Sequence, residues 1–330
     1  MRQTRVTFTS CGGDAIVMLL CFWFFEHIWQ DEVDKYYICY NAKIDDKVVK
    51  FLEKRIANNP KVEWIYFDHG IGNGPPITEC LKHCKEDLIM LLEDDGYIFK
   101  KGIVDKCFKR IEDGEVDAVG SPRGSCGNEI WEASGKKYNE EYTAYGDVGP
   151  NYWPNFLFLK RADLEKTDKD FGSKRWEVGE YSPELDHTFK EANCGDTFVW
   201  ACVQLRAMGV RFGKVPQWKA APFEPYLKEA KQGYWIEEPF GWIHAGSLSS
   251  GWNGLLAGQY QPDQIDESAK REIETRVAFW TIASDLEPYE EIKEFKENYK
   301  QGIENLIRHY QLDREKISEK ISLYKNLMGL

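Results

Sequence analysis

The chain has 330 residues, a formal net charge of −12 at pH 7 and an apolar content of 42%. This length and composition indicate a globular protein with one large domain and an appendage, or with two domains. The acidic charge argues against nucleic acid as a partner, because binding to a phosphate backbone requires a cationic face. The 12 Trp, 17 Tyr and 18 Phe residues supply many rings of the kind that pack on sugars and bases.

The nine cysteines include no Cys-x-x-Cys pair. Cys80, His83 and Cys84 could share one face of a helix, but without a second pair elsewhere the pattern favours reduced thiols over structural zinc. Reduced, mostly buried thiols are typical of a cytoplasmic protein, which is the predicted location.

The apolar run over residues 15–29 is interrupted by Glu26 and His27. It is shorter than the ~20 residues that span a bilayer, and a strand precedes it where a signal peptide would have a basic leader. We therefore expect a buried helix here and no transmembrane segment.

Strands and helices alternate four times in roughly the first hundred residues. Strands are predicted over residues 5–10, 35–40 and 62–67 and in the apolar run after Asp87, with helices after each of the first three. This order implies an α/β fold with a parallel, doubly wound sheet. In such sheets ligands bind outside the carboxyl ends of the strands, where Ser10, Asn41, Asp68 and the acidic residues 93–95 fall.

The most informative stretch is Leu88-Ile89-Met90-Leu91-Leu92-Glu93-Asp94-Asp95-Gly96. Five large apolar residues are typical of a strand buried on both faces, and three carboxylates follow it directly. Their mutual repulsion costs stability unless a cation lies there. Glu93 and Asp95, two apart on an extended strand, point to the same side, so a Mg²⁺ or Mn²⁺ site is predicted. The alternative is a solvated acidic turn.

The second half is less regular. Residues 121–155 are predicted to form loops or hairpins and residues 166–191 an irregular segment, whereas an apolar helix opens in the stretch from Asn193 that contains Asp196. His244 lies alone among small residues. From residue 261 onward, apolar residues at helical spacing predict two or three amphipathic helices, which either wrap the catalytic domain or form a homodimer.

The order of these pieces resembles the GT-A fold of nucleotide-sugar glycosyltransferases over roughly residues 4–255. The motifs that carry the resemblance are Thr9-Ser10, Asn41 at the end of the second strand, Leu91-Leu92-Glu93-Asp94-Asp95 as a Glu-Asp-Asp form of the Asp-x-Asp metal motif, the run Phe156-Leu157-Phe158-Leu159-Lys160-Arg161-Ala162, the turn Asp170-Phe171-Gly172 and the segment Gly195-Asp196-Thr197. The chain departs from the family in its Ser-Cys-Gly-Gly first turn, and it lacks the arginine expected near Thr78 or Glu79.

The resemblance implies a catalytic domain over residues 1–260, with a nucleotide-sugar half (1–120) and an acceptor half (121–260), and a helical region over 261–330. It also implies roles for individual residues. Glu93, Asp95 and His244 would bind Mn²⁺ or Mg²⁺, and Asp196 would be the general base for an acceptor hydroxyl. Expected contacts to a UDP- or GDP-linked donor come from the following residues: Thr9, Ser10, Asn41, Asp68 and Asp94.

Each assignment has a simpler alternative. His244 could be a hydrogen-bonded loop histidine, and Asp196 could be the N-cap of the helix that follows it. Trp131, Tyr145, Trp153, Trp176 and Trp252 are candidate sugar platforms or core residues.

The expected activity is metal-dependent transfer of a sugar to a hydroxyl of a glycan or glycoconjugate, with inversion. The alternatives are a sugar-phosphate nucleotidyltransferase and a non-catalytic binding module for carbohydrate or nucleotide.

Overall fold

The structure is a computed structural model that describes residues 2–11, 15–40, 46–67, 74–120, 126–138, 152, 154–215, 241–245, 248, 255, 262, 265–286 and 292–330. Its strands are β1 Arg5–Cys11, β2 Lys35–Tyr40, β3 Val62–Tyr66, β4 Leu88–Glu93, β5 Gly96–Ile98, β6 Ala118–Gly120, β7 Leu157–Lys160, β8 Lys174–Trp176, β9 Tyr181–Ser182, β10 His187–Thr188, β11 Asn193–Gly195, β12 Phe212–Lys214 and β13 Trp242–His244.

The helices alternate with these strands in the first half and dominate the C-terminal region. They are α1 Ala15–Phe24, α2 Asp46–Ala57, α3 Gly74–His83, α4 Ile103–Glu112, α5 Asn128–Tyr138, α6 Arg161–Leu164, α7 Val199–Ala207, α8 Glu267–Asp285, α9 Lys293–His309 and α10 Arg314–Met328. A π-helical turn, Phe25–Trp29, and a 3₁₀ turn, Gln30–Glu32, continue α1. None of the described helices combines the length and the apolar character needed to cross a membrane.

Seven strands form the central sheet in the order β12-β6-β7-β4-β1-β2-β3. Six of them run in the same direction, and β7 is antiparallel to both of its neighbours. The α/β class is therefore confirmed, with a sheet that is mainly rather than wholly parallel. Strand β4 lies between β1 and β7, and its residues Leu88–Leu92 are at most 2% exposed, as expected for a strand covered on both faces.

The two faces of the sheet have separate apolar cores. One core joins the sheet to α1, α4 and the C-terminal helices, and the other joins it to α3 and α7. A third, smaller cluster packs α5 and the ribbon β8–β11 against the outer side of α7. Most side chains of residues 16–29 lie in the first core, although His27 is exposed. This placement confirms the predicted buried helix.

The described part of the C-terminal region contains three helices, in agreement with the predicted two or three, and α8 packs on the α/β domain. Phe279 of α8 stacks on Tyr97 of β5 at 5.6 Å between ring centroids and on Tyr324 of α10 at 4.6 Å. These contacts place the C-terminal helices directly behind the strand that follows the acidic residues.

Two local predictions for the second half are wrong. Residues 121–155 contain helix α5, because Ile130 and Ala133, three residues apart, bury one face and Glu129 anchors its first turn to the backbone amides of Lys190 and Glu191. Two apolar positions are too weak a pattern to predict a helix. The segment 166–191 contains the short strands β8, β9 and β10; β9 and β10 pair with each other as a two-residue hairpin, and β8 pairs with β11, which lies beyond the segment.

Candidate metal centre

The acidic residues form a tight turn between two strands. Strand β4 ends at Glu93, Asp94 and Asp95 make the turn, and β5 begins at Gly96. Strand β13, far along the chain, pairs antiparallel with β5 so that His244 faces Gly96. This pairing brings the lone histidine to the carboxylates, the position that the family resemblance implied for a late metal ligand.

The three predicted metal ligands lie together. Nε2 of His244 is 3.3 Å from Oδ1 of Asp95 and 3.5 Å from Oε2 of Glu93. Among the residues that the structure describes, this is the one group of three or more His, Cys, Asp or Glu side chains whose ligand atoms all lie within 4.8 Å of one another. Two carboxylates and one imidazole form a ligand set that suits Mn²⁺ and other first-row divalent ions.

Asp95 is the most constrained member of the cluster. Burial opposes its ionisation, but the charge and contact of His244 and the amide of Leu248, which donates to Oδ2 at 3.2 Å, outweigh burial and hold the pKa of Asp95 below its usual value. Its other oxygen, Oδ1, is buried and accepts no hydrogen bond of good geometry from the described residues. Apart from the 3.3 Å contact with Nε2 of His244, the described residues give this buried anionic oxygen no partner. Burial of such an oxygen carries a free-energy cost that a bound cation would offset, so these residues fit a metal ion.

Asn155, which no sequence pattern singles out, also contacts this turn. It is fully buried, and its Oδ1 accepts a hydrogen bond from the backbone N–H of Glu93 at 3.4 Å. A Cβ on Gly96 would lie 2.3 Å from the same oxygen, so glycine is needed there. Asn155 lies one residue before the apolar run that begins at Phe156, and nothing in the local sequence distinguishes it from a loop residue. Only the tertiary fold shows its contact with Glu93.

The predicted donor-binding residues occupy different positions around this centre. Ser10 pairs with Glu93 across β1 and β4 and is half-buried. Thr9 is fully buried and shares a hydrogen bond of 2.8 Å with the hydroxyl of Tyr36. Asp94 is 4% exposed and lies near Cys21, whose thiol pKa is raised by burial and by the charges of Asp94 and Asp95. Ligand contacts by these residues remain predictions.

A small crevice opens beside the cluster at the carboxyl ends of β1 and β4. Ser10 and Glu93 line it together with Pro76 and Ile77 of α3 and with Pro154. Its position agrees with the place where doubly wound sheets bind ligands. Asn41 and Asp68, two further predicted donor-binding residues, lie outside the described residues, as do Tyr145, Trp153 and Trp252.

Asp196 lies in the turn between β11 and α7 and is half-buried. Its Oδ1 accepts a hydrogen bond from the N–H of Thr197 at 2.7 Å. The N-cap of α7 is Phe198, with a φ of 71°, so the alternative of Asp196 as the N-cap is wrong. Its role as a general base remains a prediction.

The Asp196 turn is connected to the crevice through α3. Phe198 stacks on Phe171 at 5.5 Å between ring centroids, and its backbone N–H donates a hydrogen bond to the carbonyl of Phe171. The next residue, Gly172, touches Gly74 so closely that a Cβ on Gly74 would lie 2.4 Å from the Gly172 nitrogen. Gly74 opens α3, the helix whose next residues line the crevice.

Two other candidate features have a structural role instead. Trp176 is fully buried, with its ring against Phe189 at 5.5 Å between centroids, so of its two predicted roles the structure supports that of a core residue. Trp131 is half-buried. Cys80 and Cys84 are buried free thiols, while the half-exposed ring of His83 faces Glu79 and Glu63, an arrangement that does not gather a zinc site.

No family model and no curated protein matches the chain. Among solved structures, it resembles the mannosyltransferase PcManGT from Pyrobaculum calidifontis in complex with GDP-Man and Mn²⁺, with 12% identity, coverage of 99% of this chain and 88% of that chain, and a TM-score of 0.46. It also resembles S. aureus TarS 1–349, with 11% identity, coverage of 96% of this chain and 83% of that chain, and a TM-score of 0.41. The likeness to TarS 1–349 in complex with UDP-GlcNAc has 13% identity, coverage of 99% of this chain and 78% of that chain, and a TM-score of 0.41. Likenesses of this size leave the function to be inferred from the residues of the site.

Proposed function

We propose that the protein is a metal-dependent glycosyltransferase that moves a sugar from a nucleotide-diphosphate donor to a hydroxyl of a glycan or glycoconjugate, with inversion. The observation that carries this proposal is the cluster of Glu93, Asp95 and His244 at the carboxyl end of β4, where the buried Oδ1 of Asp95 lies 3.3 Å from Nε2 of His244 and accepts no hydrogen bond of good geometry from the described residues. An acidic protein that binds a diphosphate at such a site needs a cation between the two anions.

Residues of the chain supply the rest of the proposed chemistry. Glu93, Asp95 and His244 would hold the metal ion. We propose Mn²⁺ rather than Mg²⁺, because an imidazole nitrogen is a better ligand for Mn²⁺ than for Mg²⁺. When bound, the ion would neutralise the charge that grows on the nucleotide-diphosphate leaving group. Ser10 and the crevice beside Glu93 mark the edge of the sheet at which we propose that a UDP- or GDP-linked donor binds.

The acceptor side of the reaction is proposed to depend on Asp196. A carboxylate in the turn before α7, half-exposed and linked through Phe198 and Phe171 to the start of α3, is available to take the proton of an acceptor hydroxyl as that oxygen attacks the sugar. Inversion requires one such base and no covalent intermediate. The proton goes to Asp196, and the nucleotide diphosphate leaves with the electron pair of the glycosidic bond.

The decisive experiment is calorimetric binding of UDP and of GDP, each with and without Mn²⁺, to the wild type, Asp95→Asn and Asp113→Asn. Asp113 is an exposed carboxylate at the end of α4 and serves as the charge-matched control. We expect one nucleotide to bind only with Mn²⁺, and this binding to be lost in Asp95→Asn and kept in Asp113→Asn. Binding that is independent of both the metal and Asp95 would contradict the proposal. Hydrolysis of the matching sugar nucleotide in the presence of Mn²⁺ would then separate an enzyme from a binding module.

A further inference from the structure

We propose that Asn155, fixed by the backbone turn at Phe156, is a positioning residue that sets the acidic turn in register with His244. This inference rests on the proposed metal-dependent function and concerns a residue that contributes no ligand in the cluster itself. It explains why a polar side chain is fully buried beside three carboxylates.

The first observation is how the β4–β7 ladder ends. Leu91 faces Leu157 in this antiparallel pair, so two residues further on a continuous ladder would place Asn155 opposite Glu93. The ladder stops at Leu157 instead, and the Oδ1 atom of Asn155 accepts the hydrogen bond from the N–H of Glu93. A side chain thus fixes the last residue of β4, the point from which the Glu93 carboxylate projects.

The second observation is the conformation of the next residue. Phe156 has a φ of 59°, in the left-handed region that residues other than Gly, Asn and Asp rarely adopt. Such strain persists where the surroundings over-determine it and is concentrated at functional sites. Here the ring is fully buried, stacked on Trp242 with a centroid distance of 4.5 Å and an interplanar angle of 16°.

Together these contacts connect both halves of the cluster. Asn155 binds the end of β4, which carries Glu93, and Phe156 packs on Trp242 of β13, the strand that ends at His244. Two consecutive residues therefore contact the two strands whose separation sets the distance between carboxylate and imidazole. Outer contacts of this kind orient metal ligands, and their loss typically weakens metal binding.

The third observation is that Asn155 is poorly explained by stability alone. Its Nδ2 atom is buried and finds no partner within the described part of the chain, and burying an unpaired amide group is unfavourable. A leucine of similar volume would avoid that penalty. The residue type is instead explained by the acceptor that it presents to the N–H of Glu93.

The test is Mn²⁺ affinity, measured by calorimetry on the wild type, Asn155→Leu and Asn155→Asp, with metal-free thermal unfolding of each. Asn155→Leu removes the acceptor at similar volume, and we expect it to fold and to bind Mn²⁺ about 10- to 100-fold more weakly than the wild type. Asn155→Asp keeps an acceptor for Glu93 and should bind Mn²⁺ more tightly than Asn155→Leu.

Asn193→Leu is the matched control. Asn193 is 4% exposed, and like Asn155 it packs its Oδ1 against a glycine, since a Cβ added to Gly127 would lie 2.1 Å from that oxygen. Its Nδ2 donates to Glu129, which is not part of the metal cluster. We expect wild-type Mn²⁺ affinity in this variant. Unchanged affinity in Asn155→Leu, or an equal loss in Asn193→Leu, would overturn the positioning role alone. A wild-type protein that binds no Mn²⁺ would overturn the proposed function and this inference together.

Discussion

Nε2 of His244 lies 3.3 Å from Oδ1 of Asp95, and this contact joins two segments that are distant in sequence. The backbone N–H of Ala245 donates to the carbonyl of Asp95 at 3.0 Å, and that of Leu248 donates to its carboxylate at 3.2 Å. Three contacts from one short segment thus converge on a single aspartate. Since this arrangement exists only in the folded chain, binding of a cation here would also stabilise the fold.

Replacing His244 with alanine should change which metal the protein binds. The imidazole favours Mn²⁺, whereas Mg²⁺ prefers oxygen ligands and keeps several waters. We expect His244→Ala to lower the affinity for Mn²⁺ at least ~10-fold and to change that for Mg²⁺ little, as measured by calorimetry. His83→Ala, at a ring with 44% exposure, is the control. Equal loss for both metals would contradict the assignment of His244 as a ligand.

Local patterns predicted the parts of this fold that depend on neighbouring residues. Strand β2 has the predicted bounds, and the acidic residues lie at the carboxyl end of a buried strand, because continuous apolar runs between turn residues are a local signal. Asn155 and helix α5 were missed because their roles depend on contacts with distant residues: Glu93 for Asn155, and residues 190–191 for Glu129 of α5. His244 was identified through a family resemblance, and only the pairing of β13 with β5 places it at the cluster.

Gly96→Ala should weaken metal binding without touching a ligand. A Cβ at this position would lie 2.3 Å from Oδ1 of Asn155 and 2.8 Å from Leu92, which displaces the side chain that holds the N–H of Glu93. We expect a loss of about 1–3 kcal/mol in the free energy of unfolding and a fall of about 10-fold in Mn²⁺ affinity.

The matched control for this substitution is Gly127→Ala, whose Cβ would lie 2.1 Å from Oδ1 of Asn193. It should lower stability to a similar extent, measured by chemical denaturation, and leave Mn²⁺ affinity unchanged. If both variants lose affinity equally, the effect of Gly96→Ala reflects general destabilisation and the proposed link through Asn155 is wrong.

Asp117 should make stability depend on pH in the acidic range. Its carboxylate accepts hydrogen bonds from Nε of Arg211 at 2.8 Å and from Nζ of Lys160 at 2.7 Å, and these cations hold its pKa well below the usual value. A lowered pKa in the folded state stabilises the fold above the ordinary pKa of about 4, and this contribution is lost as the pH falls towards the folded-state value.

We therefore expect Asp117→Asn to lower the free energy of unfolding at pH 7 by about 1–3 kcal/mol. The difference from the wild type should narrow as the pH falls below about 4. Urea denaturation between pH 7 and pH 3 measures it, with Asp113→Asn as an exposed control that should differ little at any pH. A difference that stays constant down to pH 3 would argue against the ion pairs as its cause.

Phe279→Ala should show how strongly the C-terminal helices support the α/β domain. The ring is fully buried between Tyr97 and Tyr324, and removing a buried phenylalanine costs about 3–5 kcal/mol. Thermal and urea unfolding measure the loss, and Glu297→Ala on the exposed side of α9 should change stability by less than about 0.5 kcal/mol. A small effect of Phe279→Ala would mean that α8 is not part of one cooperative unit with β5.

Asp196→Asn should separate binding from turnover. If Asp196 takes the proton of the acceptor hydroxyl, the amide cannot replace it, and we expect the rate of sugar transfer to fall about 10²- to 10⁴-fold. Binding of Mn²⁺ and of the nucleotide should stay unchanged, because the Asp196 carboxylate is not part of the Glu93, Asp95 and His244 cluster. The matched control is Asp170→Asn, since Asp170 also accepts a hydrogen bond from a nearby backbone N–H, that of Gly172 at 3.1 Å. Loss of turnover in Asp170→Asn with normal turnover in Asp196→Asn would move the general base to the neighbouring turn.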